Sequence, residues 1–191
     1  MRISNMLLLA SFILTVGGIG KRSLKSMGID RKHALFFLFC VFILNKISAE
    51  LTDDVSFSAA CLMIPIWLFG HLYSSSSNNK LRWIVLPLSA AAGAISCFIP
   101  KHIFILVIIE GMIVSALLDP YFSMAFSGIM PVFAYTAAYI LNLFRSGYGT
   151  LELTEGCLTA QLIGIIISVT VHIIKESSKK KTARTYKNHL Y

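Results

Sequence analysis

Few residues in this sequence combine reactive chemistry with surroundings that would put it to use. Glu110 is the first of them. It lies inside the apolar run 103–118 (IFILVIIEGMIVSALL), with no other charged residue between Lys101 and Asp119. An ionised carboxylate near the middle of a bilayer costs at least ~2.5–3.5 kcal/mol, so it stays protonated, pairs, or faces a wet cavity. Two readings stay open: a proton, cation or ligand site, or a neutral acid hydrogen-bonded across helices. Gly111 and Ser115 would let another helix come close, which favours an interior-facing Glu110. Pro65, Pro87 and Pro131 each interrupt an apolar run, and Gly128 stands just ahead of Pro131. Pro131 lies in the longest run and is the kink expected to line a cavity. Glu155 opens the last run, where a helix N-terminus favours an acid. Glu110, Pro131 and Glu155 are therefore the candidate intramembrane ligand or proton sites.

Other reactive side chains are scattered. Cys40, Cys61, Cys97 and Cys157 occur singly, with no C-x-x-C spacing, and read as buried free thiols. His33, His71, His102, His172 and His189 are equally dispersed, and several fall near the ends of apolar runs. No metal site, cofactor site or catalytic constellation is expected from this spacing. An intramembrane enzyme would need a nucleophile and base at one depth, and Glu110 alone is deep.

The elements that must position these residues follow from composition. Of 191 residues, 56% are hydrophobic and only 14% charged, where a soluble domain carries about a quarter. Too few charges remain for a solvated shell, so the expected solvent is lipid. Seven apolar runs span residues 5–20, 33–49, 56–73, 83–99, 103–118, 121–144 and 157–174. All should be helical, since coil or an open strand in lipid leaves amides unpaired. Runs 83–99 and 103–118 are separated only by Pro100, Lys101 and His102, and form either a tight hairpin or a re-entrant unit. The expectation is an all-α bundle of about seven transmembrane helices over residues 1–174, followed by a basic tail, 175–191. The first run resembles a signal peptide's h-region, but Lys21, Arg22 and Lys25 follow at once with no A-x-A-like site, so retention is expected.

Charge sets the orientation. Seven crossings place the termini on opposite sides. One side, with breaks at 21–32, 74–82 and 119–120 and the tail from Lys175, gathers 13 of the 17 Lys and Arg. The other holds Glu50, Asp53, Asp54, Glu152 and Glu155. The positive-inside rule makes the basic side cytoplasmic, with the N-terminus outside and the protein in the cell membrane. Lys179-Lys180-Lys181, Arg184 and Lys187 make the tail a topology anchor that can touch anionic headgroups. It lacks the aromatic context of a nucleic-acid site, so lipid is the expected partner, with other membrane subunits possible. Ser74–Asn79 reads as a polar linker without a motif.

A short series of words carries a family likeness. Leu141-Asn142-Leu143 precedes Gly147-Tyr148-Gly149-Thr150 and then Glu155-Gly156-Cys157-Leu158-Thr159. Met27-Gly28, Asn45 and Ile64-Pro65 fall upstream in matching order. This resembles the domain of unknown function 1614 family of prokaryotic multi-spanning proteins, in which a similar acid-Gly pair opens the final helix. Tyr139 and Lys46 depart from that pattern, and residues 152–154 look inserted. The resemblance implies a multi-pass topology and no particular activity. Read physically, Gly147 and Gly149 should make a tight outer loop.

Two function classes lead. The first is a small-solute or ion permease, or the membrane-embedded binding subunit of one, favoured by Glu110 and the kinking prolines. The second is a non-catalytic partner or assembly subunit, for which Ser89-Ala90-Ala91-Ala92-Gly93-Ala94 offers a close-packing surface. An enzyme comes third.

Overall fold

The computed structural model describes residues 2–18, 24–25, 29–75, 79–98 and 103–188. Seven helices carry most of these residues: α1 Ile3–Val16, α2 Arg31–Leu44, α3 Ala59–Ser75, α4 Asn79–Ser96, α5 Ile103–Leu117, α6 Pro120–Ser146 and α7 Glu155–Asn188. Each falls on one of the seven apolar runs. Two stretches, Tyr121–Ser146 and Glu155–Ser178, are long and apolar enough to cross a membrane. The others are shorter. At ~1.5 Å per residue the 14 residues of α1 or α2 rise about 21 Å, against a ~30 Å hydrocarbon core.

The runs mis-state some ends, and the reason is a small sheet. Run 33–49 was read as apolar to Ala49, but α2 stops at Leu44 and Ser48–Thr52 is strand β1. Run 56–73 starts inside strand β2, Val55–Ser58, and α3 begins only at Ala59. β1 and β2 form an antiparallel hairpin about Asp53-Asp54, pairing Ala49 with Phe57 and Glu50 with Ser56. Strand β3, Leu151–Leu153, joins β2 in parallel, with Phe57 opposite Leu153. The sheet is ordered β1-β2-β3. So the chain is helical with one three-stranded cap, and the expectation of helix throughout needs that correction. Toward the other end of the chain, α7 continues past Ile174 to Asn188, so residues 175–188 of the basic tail extend the last helix. The 99–102 connection, the 76–78 part of the polar linker, and Lys21, Arg22, Met27 and Gly28 lie outside the described residues.

The centre of the bundle is α6. Residues 122–131 of this helix are all buried, and α3, α4, α5 and α7 all pack on it. Small residues set the distances. A Cβ on Gly93 of α4 would sit 2.7 Å from the backbone nitrogen of Ala134, and one on Gly164 of α7 would sit 2.8 Å from Cβ of Ser127. The helices touch through backbone at these points, as expected of the Ser89–Ala94 surface. α6 starts at Pro120, whose missing N–H costs nothing in a first turn. It ends on Gly147, which takes φ +68° and donates its N–H to the Leu143 carbonyl. Gly147 therefore makes a tight turn at the end of α6.

Two helix ends are closed by basic residues from elsewhere. Arg31 donates through its guanidinium to the carbonyls of Thr15 and Val16, the last two residues of α1. Lys175 Nζ donates to Ser115 and Ala116 at 3.0 and 2.7 Å, near the end of α5. A cation there meets both the orphan carbonyls and the negative end of the macrodipole. Some of the basic side's charge is thus structural.

Candidate functional site

At the acidic end of the bundle a polar tie joins four separate elements. Glu155, first residue of α7, accepts the Ser4 backbone N–H at Oε1 and the Ser4 hydroxyl at Oε2, each at 2.7 Å. Arg2, the residue before α1, makes no side-chain cap of its own. Glu155 therefore caps α1 from across the bundle while standing in the first turn of its own helix. Asn45 Nδ2, just past α2, donates to Ser4 Oγ at 3.2 Å and to Asn5 Oδ1 at 2.9 Å. Ser58 completes the chain: it donates to Asn45 Oδ1 at 3.5 Å and accepts the Ala60 N–H that opens α3. Thr159 joins the same tie through its hydroxyl, 3.5 Å from Glu155 Oε1. Apart from the Thr159 contact within α7, every bond in it links different structural elements. It works as a clasp.

Deeper in, a second tie repairs a proline. Pro65 lies inside α3 and has no N–H to give Cys61, four residues back. Gln161 of α7 supplies the missing donor, with Nε2 3.0 Å from the Cys61 carbonyl and 2.7 Å from that of Gly128 in α6. Both partners are carbonyls, so the amide must present its NH2 to them. One side chain thus pins α3, α6 and α7 together. Gln161 is fully buried, and its Oε1 has no hydrogen-bond partner among the described residues.

Glu110 sits half-buried on α5 and accepts a hydrogen bond from Ser96 of α4 at 3.1 Å. Its other oxygen is buried without a partner among the described residues. Gly111 and Ser115 do face the interior. Ser115 Oγ meets Ser168 Oγ of α7 at 2.9 Å, and Ser168 meets Ser127 of α6 at 3.3 Å. Glu110, one residue away, turns instead toward α4. Pro131 is fully buried in α6. Among the described residues no hydrogen bond joins Glu110, Pro131 and Glu155, so the three candidates occupy three separate places.

Open space lies elsewhere, in the half of the bundle nearer the basic breaks. One chamber of about 260 Å³ is bordered by α1, α2, α3, α6 and α7 and opens to the surface at Leu14, Ile166 and Thr170, with Phe37, Leu68, Leu162 and Ile165 among its walls. A second, of about 470 Å³, is lined by Asp30, His33, His71 and Ser74 at the start of α2 and the end of α3. They meet at Ile29 and Trp67, which line both. Pro131 lines neither chamber. A row of rings frames the junction. Phe37 stacks on Trp67 with centroids 4.0 Å apart, Trp67 on His71 at 5.6 Å, and His71 leans on Tyr121 at 6.1 Å.

Sequence reasoning passed over this place. In the sequence His71 has no more than a place near the end of an apolar run, His33 is one of several scattered histidines, and no motif singles out Trp67. The usable signal was the spacing of Trp67, His71 and Ser74 on one face of a helix, where i, i+4 and i+7 align. No family model, curated protein or solved structure matches this chain.

Proposed function

We propose that this chain is a multi-pass membrane protein that binds a small solute in the paired chambers, as a permease or as the membrane-embedded binding subunit of one. The observation that carries the reading is the pair of chambers meeting at Trp67, an apolar interior joined to a polar entrance. Ligand sites have this character: a concave, mostly apolar space with a few polar groups at one end. The multi-pass part is supported by the outward faces. Every helix exposes large apolar side chains, including Phe12, Phe36, Ile66, Ile95, Leu117, Phe144 and Ile174, a distribution that suits lipid and not water. Crossing by the shorter helices requires local thinning of the bilayer or interfacial anchoring at their ends.

Quenching of Trp67 fluorescence by iodide tests the reading. The chain has two tryptophans, and Trp83→Phe leaves Trp67 as the only reporter. Iodide in water should quench Trp67 through the polar chamber, and a bulky maleimide attached at Ser74→Cys should block it. A Trp67 that iodide cannot reach in bilayer nanodiscs would mean the chambers are closed to solute, and the proposal would fall.

A further inference from the structure

We infer that the ligand of the paired chambers is a single-chain amphiphile, with its alkyl chain in the inner chamber and its head in the outer one. This rests on the solute-binding reading above and names the class of solute.

The inner chamber offers a polar ligand almost nothing. Its walls are chiefly aliphatic and aromatic. Of its three hydroxyls, two are already committed as donors: Thr15 Oγ1 to the Ser11 carbonyl at 2.7 Å and Thr170 Oγ1 to the Ile166 carbonyl at 2.8 Å, which leaves Ser11. A sugar, amino acid or hydrated ion placed there would lose its water and gain few partners, which is costly for each polar group left unpaired. An alkyl chain has no such loss. The outer chamber is the reverse. Asp30, His33 and Ser74 are all exposed; Asp30 and His33 offer a carboxylate and an imidazole to a head, while the Ser74 hydroxyl already donates to the His71 carbonyl at 3.1 Å and can still accept.

Placement agrees with this division. The outer chamber lies where α2 begins and α3 ends, beside Arg31 and Lys32 on the basic side of the chain. The inner chamber extends from it along α1 and α7, the direction a chain would take from an interface toward the bilayer centre. Its volume of about 260 Å³ takes part of one alkyl chain, and not the two of an ordinary phospholipid. Trp67, ringed by Phe37 and His71, stands where head and chain would join, the position an amphipathic indole favours.

The test uses the Trp83→Phe protein in nanodiscs of unbrominated phospholipid, titrated with two probes. One is a dibrominated fatty acid and the other a lysophosphatidylcholine with a dibrominated chain. A diacyl phospholipid with the same brominated chain is the control for contact with bulk lipid. The inference predicts saturable quenching of Trp67 by at least one single-chain probe, at least threefold deeper than the control at equal bromine content. The more effective probe then tells a carboxylate head from a zwitterionic one. Filling the inner chamber with Ala34→Phe, or its exposed lip with Thr170→Phe, should abolish the excess quenching while the melting temperature stays near that of the parent. Two variants guard against one failing to fold. If iodide reaches Trp67 but neither single-chain probe exceeds the control, the amphiphile is overturned and the solute chamber stands. If iodide also fails, both readings are overturned.

Discussion

Replacing Gln161 with leucine removes a donor to the Cys61 carbonyl, one that Pro65 cannot replace. A buried acceptor left unpaired costs ~1–3 kcal/mol, and an interhelix hydrogen bond in lipid averages ~0.6 kcal/mol with a maximum near ~1.7. Losing the bonds at 3.0 and 2.7 Å while removing the unpartnered Oε1 should therefore cost about 2 kcal/mol. The informative experiment is the double-mutant cycle with Pro65→Ala. That change restores an N–H four residues after Cys61, so the carbonyl regains a helical partner and no longer depends on Gln161. Gln161→Leu should then cost about 1 kcal/mol less than in the parent, a coupling well outside the ~0.3–0.5 kcal/mol scatter of independent sites. Reversible unfolding in mixed micelles, followed by helicity across a denaturing-detergent titration, measures all four corners. Additive effects would refute the reasoning, since Gln161 would then stabilise by packing alone.

Two further outcomes follow from the other ties. Glu155→Ala should uncap α1 from a distance and cost about 1–2 kcal/mol; hydrogen exchange should speed at Ser4 and its neighbours in the first turn of α1, and unchanged exchange there would count against the clasp. Glu110→Gln keeps an acceptor for Ser96 and should shift stability by less than ~0.6 kcal/mol, with the same response to pH and to added cations as the parent. A parent that responds where the variant does not would make Glu110 a titrating or liganding site instead of a packing residue.

The helices were legible because an apolar run of sufficient length in a charge-poor chain has few alternatives, and Asp119-Pro120 and Gly147 punctuate α6 as their backbone preferences require. The sheet was not. Its strands are three to five residues long, and V-S-F-S and L-E-L alternate for too few positions to outweigh adjoining apolar runs. Glu155 was legible as a first-turn acid, but its hold on Ser4 joins residues 151 apart, for which local sequence has no signal. Gln161 was missed inside CLTAQLIG because its partner is a carbonyl that only the fold brings near. Pro131 shows the converse. A proline in the longest run suggests a kinked cavity wall, yet α6 is the most crowded helix and its proline is packed on all sides.

The account stands or falls on the chamber mouth and the Glu155 clasp lying on opposite faces of one membrane. Single cysteines introduced by His33→Cys, at the outer chamber, and Gly149→Cys, in the loop before α7, test it in a background where Cys40, Cys61, Cys97 and Cys157 are replaced by serine. In sealed vesicles of known orientation, a membrane-impermeant maleimide should label His33→Cys from one face only and Gly149→Cys from the other. Labelling of both from the same face would contradict the account.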